Sequence, residues 1–125
     1  MENVLRLSPA VRDTVVDLDA IEALESALGP DLCVEVVEDG ILQAADRLIV
    51  IERAMEAEEW RAVVRAAREL AAITARIGLA PIASQAESLE ECCLSLDRIA
   101  AHAVAARLLR TGEAAICSSQ APAVR

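Results

Sequence analysis

The chain has 125 residues and a formal net charge of −9, and this length suits one compact domain. The acidic balance argues against nucleic acid as a partner, because a phosphate backbone requires a basic surface. Hydrophobic residues make up 55% of the chain, yet Trp60 is its only aromatic residue, so the core must be aliphatic. Abundant alanine favours helices over strands, and the composition therefore predicts an all-α fold.

No signal peptide is recognisable at the N-terminus, and no apolar run approaches the roughly 18 residues that a membrane helix requires. We therefore expect a cytoplasmic protein without a membrane partner.

The cysteines form no CxxC pair, and His102 is the only histidine. Metal binding requires convergent ligands at short spacings, so the sequence predicts neither a metal site nor a cofactor. The simplest interpretation is that the cysteines are free thiols that pack as small apolar side chains in a reducing compartment. They are Cys33, Cys92, Cys93 and Cys117.

The first predicted helix follows a flexible N-terminal arm over residues 1–16, which shows no sustained hydrophobic period. Asp17 or Asp19 is expected to cap a short helix that ends before Gly29 and Pro30. Its apolar positions are Leu18, Ile21, Leu24 and Leu28.

A long helix is predicted over residues 31–57, with apolar residues that alternate at spacings of three and four. This alternation is typical of packing at a shallow crossing angle. Gly40 lies inside the helix and indicates either a kink or a close approach of another helix. The apolar residues are Val34, Val37, Ile41, Ala44, Leu48, Ile51 and Met55.

The third predicted helix begins at Trp60 and ends at Gly78, and at 100° per residue it divides into two faces. The apolar face comprises Trp60, Val63, Val64, Ala67, Leu70, Ala71, Thr74 and Ile77. The opposite face, here called the arginine row, comprises Arg61, Arg65, Arg68, Ala72 and Arg76.

Two further helices are predicted after Gly78, and Pro81 suits the first turn of the first of them. That helix, over residues 80–96, is expected to carry on one side Ala83, Ala86, Leu89, Cys93 and Leu96. Asp97 is the predicted N-cap of a last helix that runs to about Thr111 or beyond, with Ile99, Ala103, Ala106 and Leu109 on its apolar face. A single longer helix is the alternative, because neither glycine nor proline separates the two segments.

Four amphipathic helices with short connections predict an antiparallel four-helix bundle with a short extra helix at its N-terminal end. We expect this bundle to span residues 17–118, followed by a disordered tail over residues 119–125.

The order of these segments resembles the histidine-containing phosphotransfer (HPt) domain of bacterial phosphorelays. Residues 18–70 are similar to the first half of that family, and ARIGLAPIASQAESLEE (75–91) is similar to the segment that follows its active helix. The resemblance extends over residues 17–110 and depends on helix lengths, on Gly78 and on the Leu89-Glu90 pair. It implies an HPt-like helical bundle in a two-component signalling system.

The resemblance also implies a phosphoacceptor histidine, a lysine three residues later, a glycine four residues later and a second glycine ten residues later. Aligning Gly78 with the second glycine places Arg68, Ala71 and Ala72 where the signature residues are expected. The guanidinium of arginine stays protonated and cannot act as the nucleophile. The resemblance therefore implies a degenerate member of the family with no catalytic residue and no enzymatic activity at this position.

The arginine row has two interpretations. It is a solvated helix face whose arginines pair with neighbouring glutamates, or it is a docking surface. In the family this face receives the receiver domain of a response regulator, whose acceptor site is a cluster of acidic side chains. The resemblance therefore implies a receiver domain or a histidine kinase as the partner, bound without phosphate transfer.

Two alternatives remain open at the level of sequence. His102, three residues from Ile99 and at the edge of the predicted apolar face, is a weak alternative phosphoacceptor in an active phosphocarrier. The second alternative is a structural helical bundle that has no role in signalling and that could form a homodimer.

Overall fold

A computed structural model describes residues 17–120, with side chains through Ile116; the predicted arm and residues 121–125 of the predicted tail lie outside this part. The described chain is all-helical, as predicted from composition. Its helices are α1 (Leu18–Leu28), α2 (Pro30–Glu56), α3 (Trp60–Arg76), α4 (Ala80–Leu94) and α5 (Arg98–Gln120). The predicted domain boundary at residue 118 thus falls within α5. Among these helices, none combines the length and the apolar character that a membrane crossing requires.

The chain enters α1 at Asp17, which acts as the predicted N-cap. Its Oδ1 accepts hydrogen bonds from the backbone N–H groups of Asp19 (3.1 Å) and Ala20 (3.4 Å). Of the four apolar residues at helical spacing, only Ile21 is fully buried; Leu18 and Leu28 are exposed and Leu24 is half-buried. The reason is that α1 makes its main helix contact with α2 alone, so one turn of a short helix reaches the core.

The predicted apolar seam of α2 is confirmed, since all seven of its residues are buried. Gly40 marks a close approach: a Cβ atom at this position would lie 2.9 Å from Cγ2 of Ile77, which follows α3. Gly112 has the same role between α5 and α2, because a Cβ there would lie 2.6 Å from Cδ1 of Leu48. Missing side chains at these two positions let neighbouring helices approach closely.

The core lies between α2, α3, α4 and α5. α3 contacts both α2 and α4, and α5 contacts the same two helices. Large aliphatic side chains from different helices, such as Leu70, Leu89 and Leu108, are fully buried. Many of the remaining buried positions are alanine, so the interior is filled because the helices lie close together rather than because the side chains are large.

Hydrogen bonds at the end of α3 form a Schellman motif, in which two backbone N–H groups past the helix bond back to its last turn. The N–H of Gly78 donates to the carbonyl of Ala75 (3.3 Å), and the N–H of Leu79 donates to that of Thr74 (2.8 Å). Gly78 has φ of 84°, a left-handed conformation that glycine adopts without steric cost.

The same motif ends α2 and α4, but there Glu58 (φ 55°) and Leu96 (φ 62°) adopt the left-handed conformation. The break between α4 and α5 is therefore real, and Asp97 caps α5 as predicted, with Oδ1 accepting from the N–H of Ala100 (3.1 Å). The predicted placement of Leu96 on the apolar side of this helix was wrong. It lies past the end of α4 and its residue is 86% exposed.

The predicted apolar face of α5 was also wrong, because a different side of the helix is buried. Ile99 is 85% exposed, Ala103 and Ala106 are exposed, and Leu109 is half-buried. The buried face comprises Ala101, Ala105, Leu108, Gly112, Ala115 and Ile116. Because α5 carries alanine or larger apolar residues on all sides of its first turns, the sequence alone does not select one face.

Leu70→Ala should lower the free energy of unfolding by about 2–5 kcal/mol, because Leu70 is fully buried and its truncation leaves a cavity. Urea denaturation followed by far-UV circular dichroism measures this. The matched control is Leu42→Ala on α2, where the leucine is 60% exposed and little change is expected. Equal stabilities for the two variants would contradict the assignment of the α3 seam to the core.

Gly78→Ala should destabilise the fold by about 1–2 kcal/mol, because an L-residue is strained in the left-handed conformation. The new Cβ would also lie 3.0 Å from the carbonyl oxygen of Asp17. Leu96→Gly is the opposite change at the corresponding position of α4, and it should leave stability unchanged or raise it. The same denaturation experiment compares both variants, and an unchanged Gly78→Ala protein would contradict the strain argument.

Candidate functional site

The exposed face of α3 is the candidate site, and the structure places the predicted arginine row on it. Arg61, Arg65, Arg68, Ala72 and Arg76 are all exposed. On the opposite side of the helix, residues such as Val63, Leu70 and Thr74 are fully buried. Ala66 is also buried, although it was not assigned to the seam. The sequence pattern therefore predicted which α3 side chains reach solvent.

Two ion pairs between helices flank this face. On the α2 side, Nη1 of Arg47 donates to Oε1 of Glu69 at 2.7 Å. Arg47 also pairs with its neighbour Asp46, and the hydrogen bonds to Asp46 and Glu69 raise the pKa of Arg47. On the α4 side, Arg68 pairs with Glu90. The carboxylate of Glu69 is thus engaged with α2 and does not cover the arginine row.

Arg68 contacts Glu90 through two nitrogens that face the same carboxylate oxygen, and Nε donates a hydrogen bond to it. Its Nη2 lies 2.6 Å from Oε2 of Glu90, and its Nε lies 2.8 Å from the same oxygen. The side chain of Arg68 is 65% exposed, whereas that of Glu90 is 20% exposed. The guanidinium is therefore held against α4 at one edge and open to solvent at the other.

The remaining arginines of the row differ from Arg68. Arg61, Arg65 and Arg76 make no ion pair with any residue in the part of the chain that the structure describes. An acidic surface that approaches α3 would therefore meet three uncompensated positive charges and a fourth that is already paired.

An open groove of about 650 Å³ runs between α2 and α3 beside the arginine row. Its apolar surface includes Leu42, Ala72 and Ile73, and Ala72 belongs to the arginine row itself. The sequence analysis did not predict this groove. Leu42, a large apolar residue outside the α2 seam, could have indicated an apolar surface here. The lining residues are Leu42, Gln43, Asp46, Arg47, Glu69, Ala72 and Ile73.

The residues at the positions of the family's signature supply no phosphoacceptor. A guanidinium is not a phosphoacceptor, so Arg68 supplies none, and Ala71 and Ala72 carry no functional group; Ala71 is buried and Ala72 is exposed. The face can bind carboxylate or phosphate oxygens through charge-assisted hydrogen bonds. It holds no imidazole that attacks a phosphoryl group.

His102 lies on α5, near the N-terminus of α3, with its side chain half exposed. Its ring meets the ring of Trp60 edge to face, with centroids 5.8 Å apart. Its Nε2 lies 4.0 Å from Oε2 of Glu58, and the guanidinium of Arg98 lies 5.7 Å from the centroid of Trp60. The apolar face of α5 is rotated from its predicted position, and His102 lies half exposed with its ring against Trp60.

The structure does not join His102 to the arginine row. The described contacts of His102 are with Trp60 and Glu58, at the end of the helices where α2 is followed by α3. Arg68 is two turns along α3 from Trp60 and pairs with α4 instead. Position 68 and His102 therefore lie on separate surfaces of the bundle.

Cys33 and Cys93 are buried, and this burial raises the pKa of both thiols. Cys92 is half-buried, and the side chain of Cys117 lies outside the described part. Within residues 17–116, no three histidine, cysteine, aspartate or glutamate side chains converge in a geometry that would hold a metal ion.

No protein-family model, curated protein or solved structure matches this chain. The resemblance to phosphotransfer domains therefore depends on the residues and helix order given above.

Proposed function

We propose that this chain is a degenerate phosphotransfer module of a two-component phosphorelay, which docks a receiver domain or a histidine kinase without carrying phosphate. The observation that carries the proposal is the exposed arginine row on α3, in a chain whose net charge is −9. Concentrating unpaired cations on one face of an acidic protein gives that face a distinct electrostatic character.

The proposal includes an antiparallel four-helix bundle of the phosphotransfer type, formed by α2–α5, with α1 as the extra helix. Successive helices contact each other, and α5 returns to contact α2, so the contacts form a closed ring of four. The links between them are three residues long, and short links favour antiparallel neighbours.

Charge complementarity favours a receiver domain over other partners. The receiver domains that bind the family this chain resembles have an acidic acceptor site. Arg61, Arg65 and Arg76 present positive charge without an ion-pair partner among the described residues. Complementary charges raise the rate of association and fix the orientation of a complex. The acidic remainder of the chain would repel such a partner from its other faces.

The groove between α2 and α3 supports docking by supplying apolar surface beside the charges. Leu42 and Ile73 contribute to its lining, and Leu42 is largely exposed. A protein interface typically combines an apolar centre with a polar rim. Here the groove would form that centre, and the arginine row would form one side of the rim.

A structural role through self-association is the second candidate, favoured by exposed apolar residues at the turn between α4 and α5. Leu94, Leu96 and Ile99 are all mostly exposed there, and such clusters often mark protein interfaces. Sedimentation velocity over a range of concentrations distinguishes this candidate. A stable homodimer that binds no receiver domain or kinase would favour it.

The double variant Arg65→Glu/Arg68→Glu should lose at least tenfold in affinity for the receiver domain or kinase, because a row of cations becomes partly anionic. Isothermal titration calorimetry against receiver domains and kinases of the source organism measures this, after circular dichroism has shown that the fold is intact. The matched control is Arg107→Glu/Arg110→Glu, which makes the same change of charge at exposed positions on α5. Equal affinities for both double variants would contradict docking at α3.

Incubation with a radiolabelled, phosphorylated receiver domain or kinase should show binding without transfer of label to this chain. The physical reason is the absence of an imidazole on the arginine row. His102→Ala is the control variant. Acid-labile label that appears on the wild-type chain and disappears in His102→Ala would contradict the proposal and make this chain an active phosphocarrier.

A further inference from the structure

We infer that Glu90 sets the affinity of the docking surface by competing with the partner's acidic groups for Arg68, an inference that rests on the proposed docking function. The row's central arginine is the one member with an intramolecular carboxylate partner among the described residues. A partner's carboxylate that engages Arg68 must therefore displace Glu90 or share the guanidinium with it.

The geometry of the pair gives Glu90 an advantage in this competition. Nε of Arg68 donates to Oε2 of Glu90 at 2.8 Å, and Nη2 forms an ion-pair contact with the same oxygen at 2.6 Å. The side chain of Glu90 is 20% exposed, so the surrounding protein limits its freedom to move away from Arg68. Charge-assisted hydrogen bonds of this kind are shorter and stronger than neutral ones.

The outer edge of Arg68 remains open to a partner. A guanidinium carries five N–H donors, and the two contacts with Glu90 use nitrogens at one edge. The side chain is 65% exposed, so the other donors face solvent. The pair therefore has no net charge, although it keeps N–H donors available to a partner. Loss of the net charge at Arg68 makes docking weaker and more dependent on Arg61, Arg65 and Arg76.

Glu87 provides a matched comparison on the same helix. It lies three residues before Glu90, is exposed, and lines the same outer surface of α4. It makes no ion pair with a described residue. Glu87→Gln therefore removes the same formal charge as Glu90→Gln without releasing Arg68.

The test measures the Kd of the full chain for receiver domains and kinases of the source organism, using wild type, Glu90→Gln, Glu87→Gln, Arg68→Ala and Arg68→Ala/Glu90→Gln. Glu90→Gln should tighten binding by about two- to fivefold, the range that corresponds to one surface ion pair. Glu87→Gln should change it by less. In the Arg68→Ala background, Glu90→Gln should have no more effect than Glu87→Gln has in wild type.

The gain from Glu90→Gln should also shrink as ionic strength rises, because salt screens exposed charges. Thermal unfolding of each variant checks that the fold is retained. If Glu90→Gln binds as Glu87→Gln does, or if the gain persists without Arg68, the competition is disproved. Weaker binding by Glu90→Gln would show that Glu90 positions Arg68 for the partner, which also overturns the inference.

These outcomes separate this inference from the proposed function. A complex that requires Arg65 and Arg68 but is indifferent to Glu90 overturns the competition alone. Absence of binding by both wild type and Glu90→Gln, across receiver domains and kinases, overturns the docking function and the competition together.

Discussion

Packing of α3 between α2 and α4 is the interaction on which the rest of the structure depends. Leu70 and Thr74 are fully buried on the face of α3 that meets the core. The hydroxyl of Thr74 donates to the carbonyl of Leu70 at 2.7 Å, so even the polar atom on this face is satisfied within the helix. The buried face of α3 therefore needs no polar partner from another helix. The arginines of the opposite face are exposed, and among them Arg68 alone forms an ion pair with a described residue.

The alanine-rich interior explains how a chain with a single aromatic residue builds a core. Small side chains bury little area each, but they let helix backbones approach until the remaining aliphatic side chains interdigitate. Gly40 against Ile77 and Gly112 against Leu48 mark the closest approaches. The same closeness brings Arg68 on α3 within reach of Glu90 on α4, and Arg47 on α2 within reach of Glu69 on α3. Core packing thus determines which surface charges are paired.

The separation of function and stability follows from this arrangement. The three unpaired arginines of α3 contribute little to the fold, because they lie outside the core and make no ion pair with a described residue. Arg68 forms an ion pair with Glu90 on α4, but an exposed ion pair contributes little to stability. Substitutions on the exposed surface of α3 are therefore expected to leave the fold intact.

The amino-acid sequence by itself determined the helices whose two faces differ most. Periodicity and residues with one strong local preference predicted the seams of α2 and α3, the end of α3 at Gly78 and the exposed arginine row. For the cap of α1 the sequence offered both Asp17 and Asp19, and the structure selects Asp17. The sequence also limited the chemistry of this surface, because the guanidinium of arginine does not act as a nucleophile toward phosphate.

Only the tertiary structure decided the buried face of α5, the exposure of Leu96 and the partner of Arg68. α5 is apolar on several sides, so the surfaces of α2 and α4 select the face that is buried. Leu96 ends α4 in a left-handed conformation that glycine usually adopts, and no local residue preference indicates it. Glu90 lies 22 residues from Arg68, and a pair so distant along the chain exists only because two helices pack side by side.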